Sequence, residues 1–290
     1  PRRMNSELSS YHFQPVAVVR SCFKTKFGIP RQPGLISEAR GSIELLPPYN
    51  QPNAVRGLED FSHIWVLFVF HDALREGWKA TVRPPRLGGD KRVGVFASRS
   101  PFRPCPIGLS VLTLRDVRIG SHGKISLDVE GLDLLDGTPV LDIKPYLPYT
   151  DAVSDARAGF APTAPASAAL PVQFSDQAAQ QAAAIEKRGL DGFRLLAEKV
   201  IAADPRPAYQ REAGRVYGIF LHGYEVVWQA GADGAVVTHI TRDATPPPSK
   251  RRQAQQIKNA TNNDIAEEAS AAAADTADTD SDAAGTTQDS

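Results

Sequence analysis

Cysteine is scarce in this chain: 290 residues include two, Cys22 and Cys105. Two thiols cannot build a disulfide scaffold, and these two lack metal-ligand spacing, so a reduced, cytoplasmic setting is expected. Long apolar runs are also missing. The longest, residues 64–70, falls far short of the ~20 residues that a membrane-crossing helix needs. Arg2 and Arg3 are followed by no apolar core, so no secretory leader is read. No G-x-G-x-x-G opens a helix after a strand, and Gly88-Gly89 with Lys91 lacks P-loop spacing. H-E-x-x-H, C-x-x-C and paired histidines are absent too. These gaps argue against a Rossmann crevice, a P-loop nucleotidase and a metal-dependent hydrolase. Neither a metal nor a membrane is expected as a partner.

What the chain does have is proline beside arginine. In Arg99-Ser100-Pro101-Phe102-Arg103-Pro104-Cys105-Pro106, three prolines within six residues block helix and remove backbone donors. Such a stretch is a stiff loop, and it feeds an alternating apolar run at residues 107–114. Phe27-Gly28-Ile29-Pro30-Arg31-Gln32-Pro33-Gly34 and Val82-Arg83-Pro84-Pro85-Arg86-Leu87 have the same character. Stiff basic loops at strand heads are platforms for an anion or a nucleotide.

Charge is balanced overall but unevenly spread. Residues 1–150 carry 20 basic and 14 acidic side chains, and residues 75–104 alone hold eight basic and two acidic. Residues 253–290 carry one lysine against eight carboxylates. A basic front with an acidic tail suggests a polyanionic partner for the front. A solubility face with a solvated tail is the plainer alternative.

The length allows one large domain or two. Between residues 13 and 150, short β-branched or aromatic runs alternate with Gly, Pro and Asn clusters: 16–21, 42–46, 64–70, 93–98, 107–117, 125–132 and 140–143. The expected fold is mainly β, with a small antiparallel barrel or sandwich at the front. Residues 64–70 are apolar on both faces and predict a central, doubly covered strand. Residues 71–77 have room for one helical turn at most. The Ala/Pro/Ser-rich residues 151–174 read as a linker. A small α+β module should occupy 175–243, with helices near 176–187 and 193–203, then three strands. Its turns fall at His222-Gly223 and Asp233-Gly234. Residues 244–290 have almost no large apolar side chains and read as disordered.

Several polar features stand out. His71-Asp72 closes the apolar run, where polar groups cap a strand or line a site. Asp133 and Asp136 sit three apart before a glycine, an arrangement that turn chemistry alone accounts for. Asp142-Ile143-Lys144-Pro145-Tyr146 alternates charged and apolar groups, as a surface ion pair also would. In Asp204-Pro205-Arg206-Pro207-Ala208-Tyr209, a guanidinium and a phenol on a stiff loop suit phosphate contact and base stacking. A helix stop followed by a packed tyrosine fits the same residues.

The blocks FGIPRQPGL (27–35), VRGLEDFSHIWVLFVF (55–70), WKATVRPPRLGG (78–89), VGVFASRSPFRPCPIGLS (93–110), LDLLDGTPVLDIKPYLPY (132–149) and DPRPAY (204–209) resemble, in order, those of the TsaA-like proteins. The likeness spans about residues 13–243. The resemblance implies a β-barrel methyltransferase that uses S-adenosyl-L-methionine and acts on N6 of threonylcarbamoyladenosine at position 37 of tRNA. It also implies a homodimer. By the same resemblance, the cofactor would touch Pro30, Arg31, Gln32, His71, Asp72, Arg99, Leu109, Glu130, Gly131, Leu132 and Asp133. The family commonly has Asn where this chain has Cys105, and a thiol is a poor hydrogen-bonding substitute for an amide.

Methyl transfer from sulfonium to nitrogen is an in-line displacement, so positioning should supply much of the rate. Asp133 and Asp72 are candidates to face the cationic sulfonium. Arg31, Arg99 or Arg103 is expected to clamp the threonyl carboxylate. Asp136 is the expected base, with Lys144 and Tyr146 shaping the substrate pocket. Arg75, Lys79, Arg83, Arg86, Lys91 and Arg92 would follow anticodon-loop phosphates, helped by Arg206 and Tyr209. A non-catalytic β-barrel RNA-binding module, or a methyltransferase with another acceptor, remains open on the residues alone.

Overall fold

The computed structural model describes residues 11–163, 170–206, 214–231 and 234–242. The Arg75 side chain, Tyr209, Asp233 and the expected acidic tail lie outside the described residues.

Among the described residues, eight strands precede residue 150: β1 (Ala17–Ser21), β2 (Gly41–Leu45), β3 (His63–Val69), β4 (Thr81–Val82), β5 (Val93–Gly94), β6 (Ile107–Ile119), β7 (Ile125–Glu130) and β8 (Pro139–Pro145). Six of them close a barrel in the order β1-β2-β7-β6-β3-β8, with every neighbouring pair antiparallel, β8 to β1 included. Closure leaves no long edge open to another chain. Alternate residues fill the interior: Ala17 and Val19, Ile64 and Val66, Leu112, Leu127 and Val129 are all buried.

On β3, Ile64, Val66 and Phe68 point inward, while His63, Trp65, Leu67 and Val69 are only half-buried. The expectation of two fully covered faces is corrected here. Trp65 has cover from Tyr146, ring centroids 5.9 Å apart, and its indole N–H donates to Asp151 at 2.9 Å. After β3, His71–Glu76 forms a six-residue 3-10 helix, longer than the single turn expected. The predicted strand at 93–98 shortens to the two-residue β5 and then turns as a 3-10 segment, Val95–Ala97. Local side-chain bonds compete with a ladder there. The Ser98 hydroxyl donates to the Val95 carbonyl at 2.8 Å, and Arg103 Nη1 donates to the Val95 and Ser98 carbonyls at 3.2 and 2.6 Å.

A short helix, α1 (Pro148–Asp151), leads out of the barrel. The second sheet comprises β9 (Val172–Phe174), β10 (Val216–Leu221), β11 (Tyr224–Ala230) and β12 (Ala235–Arg242), in the order β10-β11-β12-β9. Helices α2 (Asp176–Glu186) and α3 (Phe193–Ala202) belong to the same module. Strand β9 falls inside the stretch read as linker. Val172 and Phe174 alternate there and pair parallel to β12, a signal too short to stand out among Ala and Pro. The Ser175 hydroxyl caps α2 by accepting the Ala178 N–H at 3.2 Å. His222 and Gly223, at φ 52° and 84°, give the left-handed pair that a tight hairpin turn requires.

Barrel and second sheet belong to one compact unit. Phe23 bridges to Leu221, and the His222 N–H donates to the Cys22 carbonyl at 2.9 Å. Phe27 stacks on Tyr217 with centroids 6.2 Å apart. Gly28, at φ 97°, sits so close to Ile219 and Val200 that a Cβ would lie 3.3 Å from each. The loop leaving β1 is therefore rooted on the second sheet before it runs on to Arg31. Among the described residues, no helix is long and apolar enough to cross a membrane.

Candidate active site

Two of the three proline-arginine loops of the front half, 27–34 and 99–106, meet at one end of the barrel. Pro30, Arg31 and Gln32 form one wall of a cleft of about 290 Å³. The end of β3 supplies Phe68 and Phe70, and the head of β6 supplies Ile107, Gly108, Leu109 and Ser110. Ser98, Arg99, Arg103 and Asp133 complete it. The proline-rich loop is held rigidly, because the Phe70 N–H donates to the Pro106 carbonyl at 2.9 Å and the Lys79 N–H to the Phe102 carbonyl at 3.1 Å. Cys105 keeps its side chain exposed while its carbonyl accepts from Ile107 at 2.8 Å.

Gly108 is required by the packing. A Cβ there would sit 2.3 Å from the Phe68 ring, which itself meets Phe70 edge-on at 5.0 Å. The aromatic pair thus lies against bare backbone. Across the cleft, Arg99 Nη1 donates to Gln32 Oε1 at 2.7 Å, which aligns one guanidinium and leaves other N–H groups for an acceptor. The Ser110 hydroxyl donates to Asp133 Oδ1 at 2.7 Å. Burial pushes the Asp133 carboxyl up to about 6, against the opposing pull of Ser110 and Arg99. A carboxyl that titrates near neutrality, in a cleft beside an aligned arginine, can stabilise a cation or take a proton.

Not every expected residue reaches this cleft. Pro30, Arg31, Gln32, Arg99, Leu109 and Asp133 line it; Asp72 is ion-paired with Lys26 at 2.9 Å, and His71 stands one residue beyond Phe70. Glu130 lies outside, held by Arg40 at 2.9 Å and by Arg115. Leu132 is fully buried core, and Gly131 serves a close approach, 3.1 Å from the Gly34 Cα to a Cβ built there. Arg103 lines the cleft, but its guanidinium ties up loop carbonyls rather than standing ready as a clamp.

The expected base is also displaced. Asp136 Oδ1 accepts the Ser21 N–H at 2.9 Å and Oδ2 pairs with Lys24 at 2.8 Å, so this carboxylate fastens the end of β1 and does not line the cleft. Lys144 pairs with Asp142 at 2.7 Å, and Tyr146 packs on His63 and Trp65. Both belong to the opposite end of β3, because Trp65 is in register with Lys144 and Phe68 with Val140. A strand rises ~3.3 Å per residue, which carries them well away.

Arg83 is exposed, whereas exposed Arg86 donates to the Thr163 carbonyl. Arg206 departs most from expectation. Its side chain is buried, chelated by Asp204 at 2.6 and 3.0 Å, and lies over the Trp228 ring. Sequence reasoning missed Phe68, Phe70 and Gly108 as site residues. The signal was an apolar strand end facing a glycine one strand away, which is indistinguishable from core without the register. Among the described residues, no cluster of three or more His, Cys, Asp or Glu is disposed to hold a metal.

The same architecture occurs in known proteins. A tRNA (adenine(37)-N6)-methyltransferase of Escherichia coli (strain K12) is 49% identical over 224 residues, covering 77% of this chain and 94% of that protein. A Pseudomonas aeruginosa protein named as a putative S-adenosylmethionine-dependent methyltransferase, RcsF, is 50% identical over 220 residues, 76% of this chain and 92% of its own. The crystal structure of TrmO from Pseudomonas aeruginosa superposes with a TM-score of 0.68 at 42% identity, covering 81% of this chain and all of that one. The family model for the tRNA-methyltransferase O N-terminal domain matches residues 18–152, and that for the TrmO C-terminal domain matches residues 167–243. With both halves matched in order, and the cleft built from the front one, the chain belongs to the tRNA-methyltransferase O family.

Proposed function

We propose that this protein is an S-adenosyl-L-methionine-dependent methyltransferase acting on N6 of the adenosine at position 37 of tRNA, with threonylcarbamoyladenosine as the acceptor base. The cleft carries the reading: it joins an aromatic pair, an aligned arginine and a half-buried carboxyl around bare backbone at Gly108. These residues fit the cofactor's chemistry. Phe68 and Phe70 offer π-faces to a purine or to a cationic sulfonium, Arg31 and Arg99 suit its carboxylate, and Asp133 balances its positive charge. When bound, S-adenosyl-L-methionine supplies an electrophilic methyl group.

The residues of the chain then have separate tasks. Gln32 fixes the Arg99 fork, so the anion it binds is held at one angle. Ser110 orients Asp133 through Oδ1 and leaves Oδ2 to the cleft. Asp133 replaces Asp136 as the carboxylate that faces the reacting centre, either balancing positive charge or accepting the N6 proton. The carbamoyl substituent makes that proton more acidic than in plain adenine, so a carboxylate titrating near 6 is base enough.

Exposed Phe96 and Trp78, together with Ile107 and Leu109 at the cleft rim, support a homodimer in which a second copy covers this end of the barrel. The expected setting is the cytoplasm, where tRNA is modified. Nucleoside mass spectrometry of tRNA from a deletion strain, with and without the gene, tests the proposal. Loss and return of N6-methyl-threonylcarbamoyladenosine is expected. An unaffected nucleoside from a protein that still binds S-adenosyl-L-methionine would mean another acceptor. Failure to bind the cofactor would favour a non-catalytic RNA-binding module.

A further inference from the structure

The second module carries a cavity of its own, about 310 Å³ and open to solvent. Three separate segments build it. Arg188 and Leu190 come from the turn between α2 and α3, His222, Gly223 and Tyr224 from the β10–β11 hairpin tip, and Arg242 from the end of β12. The register of the sheet sets Tyr224 directly opposite Arg242. Phe193 meets the Tyr224 ring edge-on at 5.5 Å and fixes the floor.

Two guanidiniums line the space, and among the described residues no carboxylate does. Lys24 lies close enough to join burial in pushing the His222 imidazole below its ordinary value, so the histidine stays neutral at pH 7. Two acids of neighbouring segments are engaged elsewhere: Asp136 pairs with Lys24 at 2.8 Å, and Glu186 accepts the Arg194 N–H at 3.1 Å. The His222 ring makes no hydrogen bond among the described residues, although it is half-buried. Two arginines and an imidazole around one concavity are the donor set that a phosphate group takes.

We propose that this pocket, formed by Arg188, His222 and Arg242, holds a backbone phosphate of the tRNA at a distance from the reacting nucleotide. The inference rests on the tRNA reading above and gives the second module a role that buried Arg206 cannot fill. A phosphodiester takes one arginine on each side, with the imidazole as a third donor. Free inorganic phosphate offers the same chemistry, and the test separates the two.

The full-length chain is titrated with bulk tRNA between 50 and 200 mM salt, as wild type and as Arg188→Ala, Arg188→Lys and Arg242→Ala. Removing one phosphate-binding cation should flatten the plot of log affinity against log salt by roughly 0.7–0.9. The alanine variants should bind tRNA about tenfold more weakly at low salt, with S-adenosyl-L-methionine affinity and melting temperature unchanged. Arg188→Lys should recover most of the salt slope, which a purely structural arginine would not do. Titration with inorganic phosphate, followed by the His222 ring NMR signals, gives the other arm. If the variants no longer bind phosphate yet keep tRNA affinity and slope intact, the pocket belongs to a small phosphate ligand and the tRNA assignment is overturned. Unchanged response to both probes would overturn the pocket altogether. A wild-type chain that fails to bind tRNA at all would instead remove the tRNA reading on which the proposal rests.

Discussion

Replacing Asp133 with asparagine should make the protein more stable and inactive. Burial raises the carboxyl from 3.8 to about 6. Between those values the folded chain keeps a proton that the unfolded chain has released. The stability this contributes is complete below pH 3.8 and is lost as pH rises through 6. Roughly two units at about 1.4 kcal/mol each make the ionised group about 3 kcal/mol unfavourable to folding at pH 7. An asparagine in its place would keep an oxygen for the Ser110 hydroxyl and lose the charge. Urea unfolding of both proteins at intervals from pH 4 to pH 8 isolates the effect, since all other carboxylates cancel in the difference. The advantage of Asp133→Asn should widen by about 2–3 kcal/mol across that range and level off above pH 7. Methyl transfer by the wild type should rise through pH 6, and the variant should lose both the activity and that limb. A pH-independent stability difference, or a variant that still methylates tRNA, would refute the reasoning. Function here opposes stability, as it commonly does where a charge must be held dry.

Other outcomes follow from the same geometry. Gly108→Ala places a methyl against the Phe68 ring, so calorimetry should show cofactor affinity falling at least tenfold in a protein that still folds. Arg99→Ala removes the aligned fork and should cost a charge-assisted hydrogen bond, about 1.5–3 kcal/mol of cofactor binding, whereas Arg83→Ala should leave cofactor affinity unchanged. Asp136→Ala should lower folding stability by about 1–2 kcal/mol through the orphaned Ser21 N–H and unpaired Lys24. The folded fraction should retain its methylation rate, and a rate loss of a thousandfold would restore Asp136 as the base. Arg206→Ala should lower the melting temperature rather than the salt slope of tRNA binding, because its guanidinium is spent on Asp204.

Much of the barrel was legible because its signals are local. Proline-arginine loops announce rigid segments beside strands, and alternation at 107–114 announces β6, although at its head Gly108 and Ser110 are the buried residues and Ile107 and Leu109 the exposed ones. The site was legible in two of its loops and, through the family likeness, in Asp133, but not in the place of Asp136. Asp133 and Asp136 look alike in sequence, and only their partners in the fold tell them apart: Ser110 holds one in the cleft, while the Ser21 N–H and Lys24 hold the other at the end of β1. Arg206 deceived for a related reason. A proline on each side suggests exposure, but Asp204 at φ 46° folds back to chelate it. Lys144 and Tyr146 are close in sequence to residues that pair near the cleft, yet antiparallel register sends them the other way along β3.

The rooting of the Phe27–Gly34 segment on Ile219 and Val200 has a thermodynamic consequence. One wall of the cleft is competent only while the second sheet is docked against it. The observed cofactor dissociation constant is then the intrinsic one divided by the docked fraction. Any tRNA contact that holds the second sheet in place tightens cofactor binding by the same factor, and by reciprocity the cofactor tightens tRNA binding equally. The two modules would then behave as one cooperative reader, in which an RNA grasped on the outer face is felt as affinity for a small molecule at the barrel's mouth.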